Sequence, residues 1–150
     1  MAVANYRAQH KCYPAAFLAD ENGKPMHSWR VLLLPFLEQQ ALYKRYDFSQ
    51  PWNSPANSML AGEMPSVYAL RSEYTEGSTV TNYLAVVGPN TLWPGTKVRN
   101  ESDVTDPRSS VISVVENVGQ DVHWMEPRDL NVETMDFSVP SPAGLSSTYE

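Results

Sequence analysis

Apolar residues recur at three- and four-residue spacing through one long stretch of the chain, His27 to Phe48. Trp29, Leu32, Leu33, Phe36, Leu37 and Ala41 line up as a single stripe, the period of an amphipathic helix packed on a core. Ser28 is placed to cap its start, because a serine hydroxyl accepts from a backbone N–H left free in the first turn. Lys44 and Arg45 put positive charge where the last carbonyls lie bare. Pro35 interrupts the pattern. It cannot donate to Val31 and crowds that carbonyl, so the stretch should kink or break there, or divide into two short helices with Phe36 opening the second.

The remaining pattern is shorter in range. Met1 to His10 reads as a helical piece with Val3, Tyr6 and His10 on one side, closed by Tyr13-Pro14. The lack of a cap before Val3 suggests a segment once longer. Phe17-Leu18-Ala19 leads to Asn22-Gly23, the strongest two-residue turn signal in the chain, so a small hairpin or tight loop precedes the central helix. The polar, proline-rich SQPWNSPANS reads as an ordered surface loop anchored by Trp52. A helical turn or two is expected in Ser58–Met64, then a short strand at Val67–Leu70. Thr79–Val87 is rich in β-branched and aromatic residues and reads as a strand, with Trp93 in the next loop covering core. Asp103–Ser109 is a capped turn, Val111–Val118 an inner strand covered on both faces, and Asp121–Met125 one more strand. From residue 131 there is little to bury, which predicts a domain over 1–130 and a weakly ordered tail over 131–150. Helices first and strands after predict an α+β fold, with an antiparallel sheet packed on a helical layer.

A chain of 150 residues with 42% apolar content can build one real core but would be cramped as two domains. No run of eighteen apolar residues occurs, and the start lacks the basic-then-apolar pattern of a cleavable signal. A net charge of −6, with the basic residues scattered, argues against a nucleic-acid partner. The single cysteine, Cys12, excludes an internal disulfide and a cysteine-based zinc site.

The candidate chemistry is sparse. His10, His27 and His123 are far apart in sequence, so no local spacing supports a metal site. Gly-x-Ser-x-Gly is missing, and so is a glycine-rich phosphate loop. Glu73/Glu76 and Asp103/Asp106 are the closest carboxylate pairs, and both lie in expected turns as solvated charge. Glu126 and Arg128 flank Pro127 just past Trp124. An ion pair holding that turn is the structural expectation. The functional one is a ligand-facing carboxylate with an aromatic floor, for which Trp29, Trp124, Glu126 and Arg128 are the candidate ligand-binding residues. No catalytic residue, metal ligand or cofactor site is expected.

Several blocks occur in a familiar order. Ala4-Asn5-Tyr6 and Cys12-Tyr13-Pro14 come first, followed by His27–Trp52 and Asn82-Tyr83-Leu84-Ala85-Val86-Val87-Gly88-Pro89. Val104–Ile112 and Val114-Val115-Glu116 precede His123–Leu130. Together they resemble the planctomycete-type DUF1559 proteins, large sets of type IV pilin-like, or pseudopilin-like, proteins also labelled SBP_bac_10. The departures are specific. The prepilin leader and hydrophobic helix usual in the family are absent, so the chain looks like a head without its stalk. Leu70-Arg71-Ser72-Glu73 stands where a Cys-Pro-Ser-Asp stretch is usual, which removes a partner for Cys12. Asp106-Pro107-Arg108-Ser109-Ser110 replaces Asp-Gly-Thr-Ser-Asn, and the C-terminal His-x9-Asp-Gly motif is lacking.

The resemblance implies a pilin-like fold, its N-terminal helix on an antiparallel sheet. It also implies a non-enzymatic role at the cell envelope, in self-assembly or surface presentation as in type II secretion or type IV pili. Other pseudopilin-like subunits or further copies would be the partners, and membrane contact would run only through an N-terminal helix absent from this chain. An extracellular solute-binding module is the alternative, and a carboxylate hydrolase a distant third.

Overall fold

The computed structural model describes residues 1–105, 111–138, 141, 143, 144 and 146. Helices occupy mainly the first half and strands the second, so the fold is α+β. Positions 106–109 of the expected turn, Asp106 of the Asp103/Asp106 pair among them, lie outside the described residues.

Helix α1 (Ala2–His10) ends earlier than Tyr13-Pro14 would require, because Lys11 turns left-handed at φ 61° and its N–H returns to Arg7 O. Tyr6 stacks on His10 with ring centroids 4.2 Å apart, and both rings meet Phe36. Strands β1 (Phe17–Ala19) and β2 (Pro25–Ser28) form the expected hairpin. Its turn combines Gly23 at φ 81° with Asp20, whose carboxylate accepts from the Asn22 and Lys24 amides. A positive φ is cheap for glycine and an Asx-type acceptor holds the turn.

The central stretch is more fragmented than its apolar period suggests. His27 belongs to β2, after which come α2 (Trp29–Leu32), a 3-10 turn at Leu34–Leu37 and α3 (Gln40–Arg45). Ser28 caps α2 as expected, accepting from the Arg30 amide. Pro35 opens the 3-10 turn, and Glu38 at φ 62° ends it. This interruption rotates the phase of the stripe: Leu42, not Ala41, is buried after it, and Val31 rather than Leu32 before it.

The SQPWNSPANS loop is held by a buried amide. Asn57, in the single turn α4 (Pro55–Ser58), donates through Nδ2 to the carbonyls of Asp47, Gln50 and Pro51, and its Oδ1 accepts from the Asp47 amide. Trp52 lies 5.1 Å from the His123 ring. Val67–Leu70 is not a strand. A 3-10 turn at Ser66–Tyr68 follows Pro65, burying Tyr68 with its hydroxyl donating to Arg30 O at 2.7 Å.

Thr79–Val87 divides at Asn82 into β3 (Val80–Thr81) and β4 (Tyr83–Val87). Strand β5 (Val114–Glu116) pairs antiparallel with β4, β6 (Val122–His123) pairs antiparallel with β3, and β7 (Leu130–Asn131) runs parallel to β4 on its other side. Among the described residues, a single antiparallel sheet is therefore replaced by three small ones, of two, two and three strands. Strand β5 is also an edge, with only Val115 buried, so it is not covered on both faces. Apolar runs mark burial on average, but here turns at Asn82 and after Glu116 stop the ladder before it widens.

The described residues gather into two apolar clusters. The larger joins the helical segments to Ala85, Trp93, Trp124 and Met125; the smaller gathers Leu84, Val86, Val115, Val122 and Leu130. Residues past 130 join the second. Val132 and Met135 pack against it, Asn131 continues β7, and Asn117 Nδ2 donates to Gly144 O at 2.6 Å. Gly88 allows the close approach, since a Cβ there would lie 2.5 Å from Val132 Cγ1.

Candidate functional site

The four residues singled out from sequence do not form one site. Trp29 and Trp124 are enclosed, 3% and 0% exposed, and neither offers an open ring face. Trp124 Nε1 donates to Ala61 O at 2.8 Å and Trp29 Nε1 to Asp129 Oδ1 at 3.2 Å. Tyr68 lies between the two, with centroids 6.1 Å from Trp29 and 6.3 Å from Trp124. Glu126 and Arg128 form the expected ion pair at 2.9 Å, half-exposed at the turn, and Arg128 also donates to Asp121 O. Their carboxylate and guanidinium are thus engaged with each other.

The charged pair at the centre of the molecule is a different one. Arg30, fully buried, meets Asp129 at 2.7 Å, ninety-nine positions away. Its Nε and Nη2 both donate to Tyr83 O, Nη1 donates to Ser28 Oγ, and the guanidinium lies 4.7 Å over the Trp29 ring. Asp129 Oδ1 accepts from Arg30, from the Ala85 amide at 2.7 Å and from Trp29. Burial pushes the Asp129 carboxyl up, while the guanidinium and these donors pull it down. The pair therefore ties α2, β4 and the segment entering β7 into one network. A charge inside an apolar run, as Arg30 stands between Trp29 and Val31, is the signal that could have found it. Nothing local in the sequence names Asp129 as its partner.

Two of the three histidines are also committed. His27, 3% exposed, contacts Tyr46 OH at 2.9 Å and Phe48 O at 3.1 Å. His123 Nδ1 accepts from the Met125 amide. Burial holds both imidazoles below the ordinary histidine pKa. Among the described residues, no group of three His, Cys, Asp or Glu side chains is placed to hold a metal ion.

One open concavity, of about 540 Å³, lies between Phe17, Pro94, Pro127 and Arg128; a second lies across the other side of β4. A groove of about 530 Å³ runs across the smaller cluster, floored by Val86, Val115, Val132 and Met135 and edged by Ile112 and Phe137, which are 56% and 60% exposed. Arg99 and Asp103 stand on its rim. Arg99 is positioned by backbone carbonyls: its Nε donates to Thr91 O at 2.7 Å and its Nη2 to Pro89 O at 2.6 Å. Asp103 completes a capping box with Asn100 at the 3-10 turn Glu101–Asp103. No periodicity or motif marks Arg99, because the groove is assembled from four separated segments.

A family model described as SBP_bac_10, protein of unknown function (DUF1559), matches residues 1–96. The chain belongs to this family. The match takes in Arg30 and β4 but stops before Asp129, Arg99 and most of the groove. No curated protein and no solved structure matches the chain.

Proposed function

We propose that the chain is a non-enzymatic, pseudopilin-like head acting at the cell envelope, where it associates with copies of itself or with related subunits. The observation that carries this reading is how α1 is docked. Val3 and Tyr6 pack against the larger cluster, while Asn5, Ala8 and Gln9 remain exposed on the outer face, so one side of an N-terminal helix is held and the other is open. A helix attached by one face is what assembly through helix packing requires. The absence of a catalytic role is supported by the central charges, whose hydrogen-bonding capacity is directed inward to the fold. Sedimentation velocity over a range of concentrations tests the proposal. Association that rises with concentration and weakens in Ala8→Lys is expected; a monomer at every concentration would overturn it.

The groove beside Arg99 favours a second reading, an extracellular solute-binding module. An apolar concavity of about 300–1,000 Å³ with a few polar groups is the usual form of a small-molecule site. A thermal-shift screen with sugars, small acids and amphiphiles separates this role from assembly, since a saturating ligand raises the unfolding temperature.

A further inference from the structure

The two edges of the Arg99 guanidinium differ. Its Nε–H and one Nη2–H are clamped by the carbonyls of Thr91 and Pro89. The three remaining N–H groups have no hydrogen-bond partner among the described residues, and no described carboxylate lies within 4.0 Å of the guanidinium. An arginine fixed along one edge keeps a fork of the geometry that matches a carboxylate. Apolar surface from Val86, Val115, Val132 and Met135 lines the same groove. Asp103 shares the rim, its Oδ2 accepting from the Asn100 amide. One cation near one anion disfavours a doubly charged head group and leaves a monoanion as the better match.

We propose that this groove binds a mid-length acyl carboxylate, with its alkyl chain along the valine and methionine floor and its carboxylate held by the free end of Arg99. The assignment rests on the solute-binding reading and names the ligand class for it.

Isothermal titration of the purified chain with dodecanoate and with dodecan-1-ol, both below micelle-forming concentrations, tests the assignment. Saturable binding of dodecanoate about tenfold or more tighter than the alcohol is expected, the range of a charge-assisted hydrogen-bonded pair. Arg99→Gln should abolish that preference while leaving alcohol binding. Because Arg99 also braces two loop carbonyls, Ile112→Glu on the exposed edge provides a second variant that leaves those bonds intact. Its added anion should weaken dodecanoate more than the alcohol. Equal affinity for the two ligands, or an unchanged preference in both variants, would overturn the assignment. If a sugar or small acid stabilises the chain while dodecanoate does not, the acyl-carboxylate assignment fails and the solute-binding reading stands. If nothing in that screen binds, both fail.

Discussion

Arg30 and Arg99 carry the same side chain into opposite circumstances. Arg30 has lost all contact with water, faces Asp129, and spends its donors on Asp129, Ser28 and the Tyr83 carbonyl. Arg99 is half-buried at a groove, held by two carbonyls and with no described carboxylate within 4.0 Å of it. A buried guanidinium must be saturated, since desolvation of an unpaired charge costs several kcal/mol. A half-buried one can keep unused donors because water serves them. The first arrangement locks the fold, and the second leaves recognition capacity at the surface. Location, more than residue type, separates a structural charge from an available one.

The largest expected effect comes from breaking the locked pair. Asp129→Ala strands a buried guanidinium and should cost about 3–5 kcal/mol in urea unfolding. The double variant Arg30→Met with Asp129→Leu should lose less than Asp129→Ala alone. A smaller loss from Asp129→Ala than from the double variant would show that the network does not depend on the ion pair.

Asn57 makes a neutral counterpart to Arg30. Asn57→Ala leaves the carbonyls of Asp47, Gln50 and Pro51 without their donor. Unfolding free energy should fall by about 1–3 kcal/mol, and amide exchange should quicken first in the 47–58 loop.

The histidines sharpen the contrast through pH. His27 and His123 bind protons less readily when folded than the ordinary value of 6.5 implies. Unfolded imidazoles protonate near 6.5 and folded ones only below it, so the unfolded chain holds more protons in that window. Their contribution to stability is therefore complete above pH 6.5 and is lost as pH falls through the folded values. Urea midpoints should drop from about pH 7.5 to about 5.5, and His27→Gln should flatten the slope.

The smallest effect belongs to the surface turn. Arg128→Ala removes a half-exposed ion pair with Glu126 and should change stability by no more than about 1 kcal/mol. A loss rivalling Asp129→Ala would mean that the two pairs are equivalent, contrary to their burial.

Where a local rule governs, the sequence alone makes the chain legible. The turn at Asn22-Gly23, the Ser28 cap, the interruption at Pro35, the buried Trp93 and the Glu126–Arg128 pair each involve residues a few positions apart or a simple preference for burial. The stripe beyond Pro35 loses its phase, because helical period cannot be carried through a 3-10 turn and a left-handed Glu38. The Val-rich 111–118 run predicts an inner strand where the fold has an edge, since apolar content does not reveal how many neighbours a strand finds.

By itself, then, the sequence determined the α+β class, the family, and the places where the backbone must turn or stop. Backbone sterics and capping act over a few residues, so they are written locally. Only the tertiary structure decided that Arg30 meets Asp129, that β7 runs parallel to β4, and that four separated segments leave a groove beside Arg99. Each depends on which distant surfaces close together, and a charged or apolar side chain has many candidate partners until the packed core selects one.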